Sequence, residues 1–144
     1  MRRVLVDTAV FAYALGARGP EQVPAVEFLQ AAADGKFSLH ASVEMVQELL
    51  HHRLRKSGQH AAGRSHAVAE ARAVRDACTL HPFDAEVLSR SIELVAMSPA
   101  LGGRDAVHAA TAVIHGIDTI VSPDRAFDGV AGLHRVTVEE ILAR

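Results

Sequence analysis

The sequence predicts an α/β fold: a three-layer α/β/α domain built on a mostly parallel five-stranded sheet. Three observations carry this. Five short runs of mainly apolar or β-branched residues recur along the chain: 4–6, 37–41, 79–83, 119–122 and 133–136. The first four are separated from one another by segments with a helical signature, the alternation that builds a parallel sheet covered on both faces. No repeat, Pro- or Ser-rich linker or low-complexity stretch divides the 144 residues, so a single domain over 1–144 is expected.

The elements follow in order. Val4-Leu5-Val6 is a buried strand ending at Asp7, and Asp7-Thr8 can cap a helix over 9–15 that Gly16 closes. Gly19-Pro20 makes a loop before a helix over 21–34. Val23, Val26 and Leu29 supply its apolar stripe, and Asp34-Gly35 stops it. After the strand at 37–41, Ser42 is an N-cap for a long amphipathic helix to about Lys56, with Val43, Val46, Leu50 and Leu54 on one face. Ser57-Gly58 breaks the chain ahead of an Ala-rich helix over 60–78. The third strand, Thr79–Phe83, leads through an Asp84 cap into a helix over 85–96. Residues 98–103 form a Gly- and Pro-containing loop, and a helix over 104–115 ends at Gly116. Strand 119–122, strand 133–136 and a terminal helix from Thr137 complete the chain, Glu139-Glu140 lying in that helix's first turn.

Composition narrows the function classes. With 49% hydrophobic and 22% charged residues the chain can bury a core without disulfides or structural metal. Its net charge of −2 gives no global positive field, so contact with a nucleic acid would need a local basic patch and a bound cation. The single cysteine, Cys78, has no disulfide or zinc-knuckle partner. It reads as a small core or helix-end residue of a cytoplasmic protein. Met1-Arg2-Arg3 and the apolar residues 4–6 and 10–17 mimic a signal peptide, but Asp7 and Thr8 interrupt the run. The N-terminus is therefore expected to be retained and structural. No segment approaches the ~18 apolar residues of a membrane span.

The chemistry lies in the acids. Open parallel sheets gather reactive groups at the carboxyl ends of their strands. Asp7 directly follows the first strand and Asp124 follows the fourth by two residues, so both point to one edge. Each could be a turn or cap carboxylate, but a carboxylate abutting a buried strand is costly unless something positive neutralises it. On the helix 104–115, Asp105, Ala109 and Ala112 form a stripe that adjoins the apolar face. The opposite, polar face is formed by Arg104, His108, Thr111 and His115. Small residues bordering an acid leave room for a ligand above it. Glu44 and Glu48, one turn apart on the polar side of their helix, are not separated by periodicity. Converging carboxylates repel, and hard oxygen ligands select Mg²⁺ or Mn²⁺. Such ions hydrolyse phosphodiesters by activating water and clamping phosphate oxygens.

Four segments together resemble the PIN domain family, and within it the VapC-type toxins of bacterial toxin–antitoxin pairs. They are residues 4–9 (Val-Leu-Val-Asp-Thr-Ala), 42–49 (Ser-Val-Glu-Met-Val-Gln-Glu-Leu), 104–110 (Arg-Asp-Ala-Val-His-Ala-Ala) and 119–128 (Thr-Ile-Val-Ser-Pro-Asp-Arg-Ala-Phe-Asp), in the family's order and approximate spacing. The resemblance carries Asp7, Glu48, Asp105 and Asp124 over as the catalytic, metal-binding acids, with Asp7, Asp105 and Asp124 as direct ligands. It chooses Glu48 over Glu44 because the family's Glu precedes a Leu. It implies a PIN-like fold, Mg²⁺ or Mn²⁺, single-stranded or looped RNA as substrate, a homodimer, and an antitoxin whose peptide crosses the active-site groove. Thr8 resembles the family's hydroxyl beside the first Asp. The sequence departs from the pattern at Pro123, where many members are polar or basic, and Asp128 offers a carboxylate that competes with Asp124.

Other polar residues add less. His51-His52 diverge by ~100° on a helix, and His60 and His66 are too far apart to share a metal. His108 and His115 are seven apart on one face and lack a third ligand. Arg53, Arg55, Lys56 and Arg64 form the densest basic segment, a solvated face or an RNA-backbone surface. Arg104 and Arg125 each adjoin a proposed acid, to pair with it or to hold a phosphate. A receiver-type signalling module would want an acidic pair after strand one, an acceptor Asp after strand three and a late lysine. Here strand three ends in His81-Pro82-Phe83 and no lysine follows Lys56. A haloacid-dehalogenase-like phosphatase would need an Asp where Ala9 stands. A PIN fold used only for binding stays open.

Overall fold

A computed structural model of the chain describes residues 1–16 and 19–144; Ala17, at the end of the apolar run read above, lies outside the described residues. Five parallel strands, β1 (Arg2–Val6), β2 (Phe37–Ser42), β3 (Thr79–His81), β4 (Thr119–Val121) and β5 (His134–Val136), lie in the order β3-β2-β1-β4-β5. Every pairing is parallel, so the expected "mostly parallel" sheet is wholly so. Helices α1 (Thr8–Leu15), α2 (Gln22–Ala33), α3 (Val43–Ser57), α4 (Ala61–Ala77) and α7 (Val138–Leu142) cover one face. Helices α5 (Ala85–Met97) and α6 (Gly103–Ile114) cover the other.

The pleat of β1 builds both cores. Val4 and Val6 join one apolar cluster with Phe28, Met45, Leu49 and Ile141, whereas Leu5 joins the other with Ile120, Phe127 and the alanines of α6. All three residues are fully buried, which is why the strand carries no alternation. Two of the expected caps form, whereas Asp7 stands at the α1 N-cap without a side-chain cap hydrogen bond. The Ser42 hydroxyl accepts from Glu44 N–H at 3.1 Å and the Asp84 carboxylate from Val87 N–H at 3.0 Å. Gly35 and Gly116, read as helix stops, take φ of +89° and +67°, a region that disfavours other residues.

Several faces differ from expectation. In α2 the predicted stripe residues Val23 and Val26 are exposed, and Ala25, Phe28 and Ala31 turn inward. Phe28 fixes the rotation because its ring packs on Phe37 of β2 at 5.3 Å. In α3 the fully buried pair is Met45 and Leu49, and Val43, expected to lead the apolar face, is exposed. The third strand stops at His81, before Pro82, which has no N–H to continue a ladder. The largest correction falls on α6. His108 and Thr111, placed by periodicity on a polar face, are buried with every residue from Ala106 to Ala112. Alanines let α6 approach α5 and the sheet closely. The Thr111 hydroxyl is satisfied internally by donating to Val107 O at 2.7 Å.

Candidate active site

The strand order creates a switch point. From β1 the chain moves outward to β2 and β3 on one side, then returns to β4 and β5 on the other. Connections therefore diverge above the carboxyl ends of β1 and β4, leaving a crevice there. Leu5 pairs with Ile120 and Val6 with Val121, so Asp7 and Ser122 emerge side by side. Ser122 Oγ donates to Asp7 Oδ2 at 2.7 Å, and Asp7 N–H donates to Val121 O at 3.1 Å. Asp124 lies two residues on, its N–H donating to Ser122 Oγ at 3.0 Å and its carboxylate accepting from Ala126 N–H at 2.9 Å. Asp105 enters from the first turn of α6, and Glu48 from the second turn of α3.

Charge and burial show how closely these acids are held. Asp7 is only 7% exposed. Burial raises its pKa, partly opposed by the Ser122 hydrogen bond, the His108 charge and Thr8 N–H. Asp105 is pushed up to about 6, first by burial and then by the neighbouring charges of Asp7 and Asp124. Glu48 goes the other way, to about 2, chiefly because His108 faces it; this overrides its burial, with Thr8 and Arg104 adding to the effect. Thr8 Oγ1 donates to Glu48 Oε2 at 2.8 Å, and His108 Nε2 stands 3.6 Å from the same oxygen, an ion-pair separation longer than a hydrogen bond.

Thus the charges of Asp7 and Asp124 both act on Asp105, and Glu48 adjoins the group through Thr8 and His108. Asp128, the competing carboxylate, is turned away. Arg135 grips it through Nε and Nη2 at 2.8 and 3.3 Å. Among the described residues neither Arg104 nor Arg125 forms an ion pair within 4 Å, so both guanidiniums remain available at the rim. The basic segment is less free than it looked, since Arg53 is bound to Glu70 at 3.2 Å. Cys78 caps α4, half-buried, with burial raising its thiol to about 12.

Ser122 and His108 are the residues that sequence reasoning missed. Ser122 could have been found from register: a hydroxyl one step past the β4 run must face the acid one step past β1. His108 gave no such signal: periodicity set it on a polar face, and burial of the whole 106–112 stretch turns it inward.

The donor set fits a hard divalent cation. Burial and the charges of Asp7 and Asp124 raise the proton affinity of Asp105, and an ion among the three carboxylates would remove that repulsion. Among the described residues, no three His, Cys, Asp or Glu side chains already close on one point, so ligation would require carboxylate rotation.

Comparison with known proteins agrees with this geometry. The PIN domain profile matches residues 4–133. The chain belongs to the PIN domain family. It is 32% identical over 126 residues to ribonuclease VapC7 of Mycobacterium tuberculosis, covering 86% of this chain and 83% of that protein. It is also 32% identical over 122 residues to ribonuclease VapC23 of the same organism, covering 84% and 92% respectively. Among solved structures, FitAcB from Neisseria gonorrhoeae superposes with a TM-score of 0.73 at 18% identity, over 94% of this chain and 98% of that one. VapBC2 from Rickettsia felis, bound to a promoter DNA fragment, gives 0.72 at 16% identity with the same coverage. These two likenesses concern the PIN-like three-layer fold alone.

Proposed function

We propose that this PIN domain is a Mg²⁺- or Mn²⁺-dependent endoribonuclease acting as the toxin of a toxin–antitoxin pair. The observation that carries the reading is the meeting of Asp7, Asp105 and Asp124 at the β1/β4 switch point, with Asp105 raised to about 6 by burial and the other two. Likeness to proteins named ribonucleases supports it. In this reading Asp7, Asp105 and Asp124 hold the ion. Glu48, low in proton affinity and pinned by Thr8, stays ionised to orient or deprotonate water. Arg104 and Arg125, unpaired at the rim, take the phosphates flanking the scissile bond. The bound ion would supply charge neutralisation at the phosphate and a more acidic water.

The partners follow from the same reading. The substrate is single-stranded or looped RNA. An antitoxin peptide would cross the groove of about 400 Å³ beside Glu48 and Arg104, whose far wall is apolar Leu88, Ile92 and Val107. Structural neighbours that are toxin–antitoxin complexes support such a partner. Leu88, Ile92 and Val95 form an exposed apolar stripe along α5, as expected of a chain that also pairs with a second copy. No helix among the described residues is long and apolar enough to cross a membrane.

The test incubates purified wild-type and Asp7→Asn protein with single-stranded RNA in Mg²⁺, Mn²⁺ or EDTA. Cleavage by the wild type alone, and only with a divalent ion, is expected. Full cleavage in EDTA would sink the metal reading, and equal cleavage by Asp7→Asn would sink the site. Sequencing RNA 5′ ends after inducing both proteins in cells then identifies the target.

A further inference from the structure

His108 occupies an odd position for a polar ring. It lies on α6 one turn after Asp105, is 1% exposed, and neither Nδ1 nor Nε2 has a hydrogen-bond partner among the described residues. A leucine or methionine would fill a similar volume without burying two unpaired nitrogens, so packing does not account for this side chain. Its surroundings do. Nε2 stands 3.6 Å from Glu48 Oε2, and Asp7 and Asp105 are its other charged neighbours. The ring therefore sits behind the acids, between β1, α3 and α6, where substrate cannot reach it.

We propose that His108 is a positioning residue: with Thr8 it fixes Glu48 through Oε2, so that the free Oε1 is held toward the ion-binding acids. Thr8 Oγ1 already donates to Oε2 at 2.8 Å, and among the described residues no hydrogen bond reaches Oε1. A carboxylate on a four-bond side chain, held by one hydroxyl, still swings about that bond. A second N–H approaching the same oxygen from α6 removes the swing and ties α3 to the helix that carries Asp105. Partners of this kind, one step behind the ligands, typically change metal affinity or activity 10- to 100-fold when lost. The inference rests on the metal-site reading above.

The test compares His108→Leu, His108→Gln and His108→Asn in full-length protein by Mn²⁺ titration without RNA, followed by electron paramagnetic resonance, together with kcat and KM on RNA. Gln places an amide N–H where Nε2 lies, whereas Asn falls short of Glu48. His108→Leu should melt no lower than wild type, bind Mn²⁺ about tenfold or more weakly, and lose kcat with little change in KM. Gln should restore Mn²⁺ affinity to within about threefold and Asn should not. Wild-type Mn²⁺ affinity in folded His108→Leu overturns the proposal, as does equal affinity of the Gln and Asn proteins should the Leu protein fail to fold. If wild type itself takes up no Mn²⁺, the metal-site reading falls and this proposal with it.

Discussion

Replacing Asp105 by Asn should make the ion-free protein more stable while abolishing its activity. Asp105 has its pKa raised from 3.8 to about 6 by burial and by the charges of Asp7 and Asp124. A raised carboxyl favours the folded state below about pH 4, where both states are protonated, and that advantage disappears as pH rises through 6. At neutral pH the folded chain holds an ionised group it would rather protonate. At about 1.4 kcal/mol for each tenfold change in proton affinity, this costs about 3 kcal/mol unscreened. The carboxyl is only half-buried, and solvent screening reduces the cost to about 1–2 kcal/mol. Asn keeps the shape and removes the charge, so in EDTA at pH 7.5 its melting temperature should rise by roughly 3–8 °C for a chain this long. At pH 4 the two proteins should melt together. Adding Mg²⁺ should raise the wild-type melting temperature and leave the variant almost unmoved. Calorimetry at the two pH values, with and without Mg²⁺, gives all the numbers. An Asp105→Asn protein that melts at or below wild type at pH 7.5 would refute the reasoning, because the acids would then not be in conflict.

Four further outcomes follow. Glu48→Gln should lose cleavage on the order of 10²-fold, whereas Glu44→Gln, on the same helix one turn earlier, should cleave within about twofold of wild type; the reverse result would refute the choice between them. Asp124→Asn should be as inactive as Asp105→Asn and Asp128→Asn nearly normal in RNA cleavage, because Arg135 holds Asp128 out of the site. Acid should weaken the β2–β3 edge, where His40 Nδ1 and His81 Nε2 share a proton at 2.9 Å and His115 stacks on His81. Burial and the His115 and His40 charges lower His81 to about 4, so its contribution is intact above about 6.5 and lost as pH falls toward 4. Unfolding free energies from denaturant titration should change by about 1 kcal/mol more for wild type than for His81→Phe across that window, after screening. Light scattering should report a dimer of about twice 15.4 kDa, and a charge placed at Ile92 on the α5 stripe should return it to a monomer.

The fold was legible because its signals were redundant. Val4-Leu5-Val6 is apolar on both faces, which only a strand covered on both sides allows, and Ser42, Asp84, Gly35 and Gly116 mark helix ends by hydrogen-bonding or φ preferences that survive any tertiary context. Helix rotation was not legible to the same degree. In α2 (Val23, Val26, Phe28, Leu29) and α3 (Val43, Met45, Val46, Leu49, Leu50) the apolar residues fall on more than one stripe, and the winning one is set by a partner outside the helix: Phe37 for Phe28, and the sheet for Met45 and Leu49. Periodicity measures contrast in hydropathy between faces, and in α6 that contrast does not report exposure, because seven consecutive residues are buried.

That failure in α6 has a functional meaning. A stretch buried on every side, as 106–112 of α6 is, has no solvated face on which to place polar residues, so each polar residue in it needs a partner within the protein. Thr111 finds one in its own backbone. His108 has only its 3.6 Å ion pair with Glu48, and Asp105 has its proton affinity raised first by burial and then by two other acids. Asp105, once ionised, is destabilising where it stands. Unresolved electrostatic tension of this kind concentrates at functional sites, because the free energy it stores becomes available when the missing charge arrives. Among the described residues the two acids whose proton affinity is raised, Asp7 and Asp105, both lie in the β1/β4 crevice, held up first by burial and, for Asp105, by neighbouring negative charge, and a cation would offset both.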